Sequence, residues 1–242
     1  MPALADSERR QMAAFIADRG IHRLVHFSPR RNLIGMFQLG GLWARGRLIE
    51  YAKTHQDADM MAYVTWNDSV RLDGRQDCIN LSVERINAFL FDVFKRKFEE
   101  RFGDEEPWCV IEINPSVMLK EGVVFTKANA ASSFVRSSGT ASGLAGLQSL
   151  YENKIVVPKR YKVQVDERTA DLPRACPTSV QAEVMVPREI PLSDVIGLVF
   201  NDEDDMFQVK AMLGIQFPSL RLPPMRVSAD EFRGASLQGG VK

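Results

Sequence analysis

The run Gln181-Ala182-Glu183-Val184-Met185-Val186-Pro187 constrains this chain most, because it sets one carboxylate inside a segment that otherwise reads as core. Val184 and Val186 alternate with Glu183 and Met185, the period-2 pattern of a β-strand, and Pro187 closes it. Side chains alternate between the faces of a strand, so Gln181 and Glu183 are expected on one face, about 7 Å apart. A carboxylate beside an amide at a strand end suits a site that holds a sugar hydroxyl and stabilises positive charge on its anomeric carbon. Taken alone, Glu183 in such a pattern is the outward residue of a half-exposed strand. The remainder of the chain decides between the two readings.

The same periodicity marks strands over residues 23–28, 78–83, 108–113, 123–126 and 195–200. Leu24, His26 and Ser28 fall on one face of the first. Asp6-Ser7 caps an N-terminal helix within residues 6–20 that Gly20 stops, and a short helix with a glycine terminus follows Pro29. Ile86, Phe89, Leu90, Val93, Phe94, Phe98 and Phe102 mark an amphipathic helix whose phenylalanines belong to the core. Residues 43–63 read as helix plus loop, 137–142 as a loop, 144–151 and 209–214 as short helices, and 154–177 as a basic loop. Asn201 to Asp205 reads as a solvated acidic turn. Many short strands with scattered helices predict a single α+β domain over 1–242, with a core of about 22–215 and a polar tail, 224–242, without fixed structure.

Charge is balanced, 31 basic against 31 acidic residues, so a polyanion must be met by a local patch and not a global field. The most basic stretch lies between Lys120 and Lys162, with seven Lys or Arg against two Glu, and it leads into the opening run. Three cysteines and three histidines show no zinc spacing, so no metal is expected. The charged N-terminus lacks a signal peptide's apolar segment, and no apolar run reaches membrane-spanning length, which predicts a soluble, cytoplasmic protein. Phosphate-loop, dinucleotide-fold, zinc-protease and nucleophile-elbow motifs are absent. What remains is His26 with Ser28, Arg71 or Arg75, and Glu183. That set fits chemistry on a nucleotide sugar: a histidine and hydroxyl for the ribose or a carboxamide, an arginine for pyrophosphate, and a carboxylate for an oxocarbenium-like transition state.

These residues carry a resemblance. His26-Phe27-Ser28-Pro29-Arg30-Arg31-Asn32-Leu33 followed by Gly40-Gly41-Leu42 resembles the opening His-x-Thr-x-x-x-Asn-Leu and Gly-Gly-Leu of the DarT family, bacterial toxins that ADP-ribosylate bases in single-stranded DNA with NAD. Arg71-Leu72-Asp73-Gly74 with Ile79-Asn80-Leu81-Ser82 resembles an Arg-Leu-Asp-Gly and Leu-Ser segment of one branch. Trp108 to Ile113, Phe125 and Asn129-Ala130-Ala131-Ser132 resemble the family's middle section. Cys176-Pro177-Thr178 with Gln181-Ala182-Glu183 resembles the end of its substrate-reading loop and its catalytic glutamate. Ser28 stands where threonine is commoner, and it keeps the hydroxyl.

The resemblance implies an ADP-ribosyltransferase fold, two small mixed or antiparallel sheets around an NAD cleft with peripheral helices. It implies Glu183 as catalytic residue, assisted by Arg71, which also holds NAD. His26, Ser28, Asn32, Gly41 and Leu42 are implied on the cofactor, and the segment 43–63 as its cover. Lys154, Lys159, Arg160 and Gln181 would meet nucleic acid. The implied partners are single-stranded DNA, with RNA as the alternative, and an antitoxin that removes ADP-ribose or blocks the site. A non-catalytic NAD or nucleic-acid binding module is the rival of another class.

Overall fold

The computed structural model describes residues 4–55, 73–102, 107–159 and 162–233. The chain opens with α1 (Asp6–Arg19), ended by Gly20 at φ 69°, and turns directly into β1 (Leu24–Pro29). Next come α2 (Asn32–Gln38), β2 (Gly41–Trp43) and α3 (Arg45–Thr54). The glycine pair between α2 and β2 is a steric requirement. Gly40 sits at φ 73°, and a Cβ on Gly41 would lie 2.3 Å from the Ile190 carbonyl oxygen.

β3 (Cys78–Val83) precedes α4 (Ala88–Phe102), β4 (Trp108–Ile113), β5 (Val124–Thr126), α5 (Ser133–Ser138), β6 (Ala141–Ser142) and α6 (Gly143–Ser149). α4 is rotated from its expected phase. Phe91 and Phe98, seven residues apart, face the core against Trp108, Phe94 is half-buried, and Phe89 is 54% exposed. The segment expected as a loop over 137–142 is the end of α5 plus β6, because Ser132 caps α5 by accepting the Val135 N–H.

The stretch read as a basic loop is a hairpin, β7 (Lys154–Pro158) and β8 (Val163–Glu167). Ile155 and Val157 alternate inward onto Ala128, Val135 and Phe134, and that small apolar cluster orders the lysine-bearing strand. β9 (Glu183–Pro187), β10 (Glu189–Pro191), β11 (Val195–Phe200), α7 (Glu203–Gln216) and β12 (Met225–Val227) complete the chain. α7 starts earlier than expected. Its acidic first turn is structural, with Asp202 capping the Asp205 N–H and Asp205 pairing with Arg30 at 2.6 Å. The expected unstructured tail is corrected over its first part: β12 pairs in parallel with β11, and Phe232 packs on Phe91. Residues 234–242 lie outside the described residues.

The strands run in the order β12-β11-β4-β1-β3-β9-β5-β6, with β2/β10 and β7/β8 as separate two-stranded ribbons. The long sheet is two four-stranded halves joined at one point. β1 and β3 pair only at Leu24↔Val83 and Val25↔Ser82. Beyond that junction β1 stays with β4 along its whole length, while β3 stays with β9 from Cys78 to Leu81. The halves therefore splay apart, and the gap between them is a cleft.

Candidate active site

The cleft has a volume of about 290 Å³, close to the lower end of the range typical of small-molecule sites. One side is β1, which presents His26 and Ser28. The other is β3 and β9, which present Asn80 and Glu183. α2 and β2 contribute Asn32, Gly41 and Leu42, and α3 contributes Arg45 and Leu48. Leu42 and Leu48 stay buried while touching the cleft, so its apolar wall is continuous with the core.

Glu183 is 4% exposed, which removes the reading of a solvent-facing strand residue. It is the first residue of β9, where it pairs with Thr126 of β5, and the next residue, Val184, is held by both β3 and β5. One carboxylate oxygen accepts from Asn80 Nδ2 at 2.6 Å, and the other lies 3.4 Å from the Ala130 N–H. The turn supplying that N–H is itself braced, with Asn129 Oδ1 accepting from Ala131 N at 2.8 Å. Such a carboxylate is held in one orientation before any substrate arrives.

Asn80 links the two sides of the cleft. Its Nδ2 also lies 3.3 Å from Asp73 Oδ2, and its main-chain oxygen lies 3.0 Å from His26 Nδ1. A carbonyl oxygen only accepts, so Nδ1 carries the proton, and Nε2 of a neutral ring is then an acceptor. Across the gap Asn32 Nδ2 donates to Ser28 Oγ at 3.0 Å, which orients the hydroxyl.

The structure thus gathers His26, Ser28, Asn32, Gly41, Leu42 and Glu183 around one cleft. Gln181 is elsewhere: β9 begins at Glu183, and Gln181 lies in the preceding turn, its N–H on Ser179 Oγ, so the pair does not share a strand face. Lys154 and Lys159 belong to the β7/β8 hairpin and do not line the cleft, and Lys154 pairs with Glu167 at 2.8 Å. Arg71, Arg160 and the far part of the 43–63 cover lie outside the described residues. Arg75, the competitor for the arginine role, is engaged with Asp77 and the Cys78 sulfur, both at 3.3 Å. Sequence reasoning missed Asn80, Asp73 and the Ala130 N–H. The signal for Asn80 was present, since Asn80 and Ser82 are polar at i and i+2 in an otherwise apolar strand.

Among the described residues no helix is long and apolar enough to cross a membrane, and no group of three His, Cys, Asp or Glu side chains is arranged to hold a metal. A model of the family described as DarT, ssDNA thymidine ADP-ribosyltransferase, matches residues 25–230. Among solved structures, Thermus sp. 2.9 DarT in complex with NAD+ matches at a TM-score of 0.52 and 14% identity, over 88% of this chain and 98% of that one. The Thermus sp. 2.9 DarT in complex with ADP-ribosylated ssDNA matches at 0.52 and 15%, over 88% and 97%. Thermosipho africanus DarTG in complex with ADP-ribose matches at 0.51 and 11%, over 87% of this chain and 51% of that one. At these identities the likeness is one of fold. No curated protein matches the chain.

Proposed function

The chain belongs to the DarT family of ssDNA thymidine ADP-ribosyltransferases, and from that premise we propose that its cleft binds NAD and that Glu183 drives transfer of ADP-ribose to a thymidine base. The observation that carries this reading is a buried glutamate, oriented by Asn80 and Ala130, on the floor of a cleft between two sheet halves. NAD serves as the consumed donor, and no metal has a part in the scheme.

The chemistry follows from the geometry. Breaking the bond between nicotinamide nitrogen and ribose sends the electron pair to the leaving ring and leaves positive charge on the anomeric carbon. Glu183 stabilises that charge at a place where water is largely excluded. The acceptor ring nitrogen of thymine attacks the same carbon, and its proton passes to Glu183. His26, Ser28 and Asn32, together with Gly41 and Leu42, position the donor. Arg71 takes the pyrophosphate and assists the departure of nicotinamide. The base has to be presented outside a duplex, which suits a single strand. Lys154 and Lys159 of the hairpin, with Arg160, contribute phosphate contacts, the role of Arg160 resting on the family resemblance alone, and Gln181 contributes an acceptor-base contact. A toxin acting in the cytoplasm beside an antitoxin that removes ADP-ribose completes the reading.

Glu183→Gln keeps the shape of the side chain and removes the charge. The expected result is loss of transfer to a thymidine-containing single-stranded oligonucleotide, at least about 10²-fold, with NAD still bound. Mass spectrometry of the oligonucleotide and calorimetry with NAD read the two halves. Undiminished modification by the variant would falsify the role of Glu183. An RNA of the same sequence, run in parallel, is expected to stay unmodified.

A further inference from the structure

Asn87 stands at the head of α4, 2% exposed, and lines the cleft with Ser82, Leu90 and Phe94. Its main-chain carbonyl accepts the Phe91 N–H at 2.9 Å and its Oδ1 accepts the Leu90 N–H at 3.1 Å, so it caps the helix. The cap fixes which way the amide faces. Turned over, it would set its NH2 against the Leu90 N–H, two donors with nothing between them. In the fixed orientation Nδ2 is buried and has no hydrogen-bond partner among the described residues.

Buried donors are nearly always paired. Aspartate would cap α4 equally well and leave no donor over. The surplus N–H group therefore serves something other than the helix, and its surroundings say what. Leu90 and Phe94, both half-buried, form an apolar wall one and two turns along α4 on the same side. A donor at the end of an apolar wall is matched by a flat ring that carries a carbonyl oxygen.

We propose that Asn87 is the ring-reading residue of this cleft, its Nδ2 donating to a carbonyl oxygen on a flat heterocycle that packs along Leu90 and Phe94. The inference rests on the activity proposed above, whose two substrates both offer that chemistry. Nicotinamide carries it in its carboxamide, and thymine in its two ring carbonyls. Bound ligand pairs the orphaned donor, so part of the recognition comes from relieving a deficit already built into the protein.

Asn87→Asp retains an oxygen for the Leu90 N–H while removing the donor, and Asn87→Ser retains a capping oxygen on a shorter side chain that no longer carries the amide N–H into the cleft, which together separate reading from capping. With the full chain, three constants are measured: NAD affinity by calorimetry, inhibition by free nicotinamide, and KM for a thymidine-containing single-stranded oligonucleotide. Loss of one buried hydrogen bond is expected to weaken a single substrate by roughly tenfold and leave the other within about twofold. Weaker NAD and nicotinamide binding identifies the carboxamide as the partner; a raised oligonucleotide KM alone identifies thymine. The proposal is overturned if all three constants stay at wild-type values, or if both substrates weaken together in step with a lowered melting temperature. Failure of the activity reading looks different. Wild-type protein would then bind NAD without modifying the oligonucleotide, and calorimetry of the Asn87 variants with NAD and with the oligonucleotide would still decide the present point.

Discussion

At the scale of single residues, the site depends on one amide placed between two carboxylates. Asn80 Nδ2 donates toward both Glu183 and Asp73, at 2.6 and 3.3 Å. Asn80→Asp is nearly isosteric, yet it exchanges that donor for a third negative oxygen. The expected outcome is a fall in kcat of roughly 10–100-fold with NAD affinity little changed. Nicotinamide release measured beside NAD titration checks it, and a matched loss in both would reduce Asn80 to a binding contact. Glu183 was legible only in company: alone its alternation read as an outward strand residue, and the ordered segments that precede it, with His26, Asn32 and Asn129, singled it out. Asn80 carried a weaker form of the same signal. Periodicity tells which face a residue takes but not which polar group waits there, and that depends on β3 and β9, 103 positions apart at this contact, lying side by side. The expectation that Gln181 and Glu183 share a strand face failed for a local reason, since the strand starts two residues later than the alternation suggests.

At the scale of elements, the segment between β8 and β9 shows how a stretch without regular structure is kept in shape. Arg168 Nη1 donates to the Cys176 carbonyl at 2.8 Å, and Nη2 donates to Pro173 and Arg174 at 2.9 and 3.2 Å. Tyr151 adds its hydroxyl to the Ala175 carbonyl, and Thr178 bonds the Glu152 carbonyl. Replacing Arg168 with Ala strands several carbonyls at once. We expect about 1–3 kcal/mol lost from the unfolding free energy, and a new protease-sensitive site within residues 169–176. Urea titration and peptide mapping read these out; an unchanged cleavage pattern would mean that the turn holds itself. Strands and helices with strong periods were readable here, and the β7/β8 hairpin was not. Its inward pair, Ile155 and Val157, is short, and the lysines around it gave the composition of a loop.

At the scale of the molecule, the C-terminal segment is fastened to the sheet by charge. Arg23 bonds Glu112 and Glu231, the latter at 2.7 Å, and Arg226 bonds the same two carboxylates at 2.6 and 3.1 Å. Burial alone would push the Glu112 carboxyl up, but Arg226 and Arg23 together outweigh it and hold it below its ordinary value of 4.5. A carboxyl depressed in the folded state contributes stability above the unfolded value and loses it as pH falls through the folded one. Acid should therefore loosen the fastening below about pH 4.5. Glu112→Gln is expected to melt lower than wild type at neutral pH, with the gap closing as the pH drops. Melting curves across pH test this, and a constant gap would show that Glu112 acts by shape alone. This fastening was invisible in sequence, where residues 224–233 are merely polar, because its partners sit on strands far away in the chain.

The junction of the sheet halves at two residue pairs has a bearing on inheritance. Past it, the cleft-side edges of β1 and β3 have no strand across from them among the described residues, so main-chain N–H and C=O groups border the cleft. A contact made by the main chain is indifferent to which side chain the gene specifies. Substitutions can then accumulate around such an edge while the recognition it offers is passed on intact.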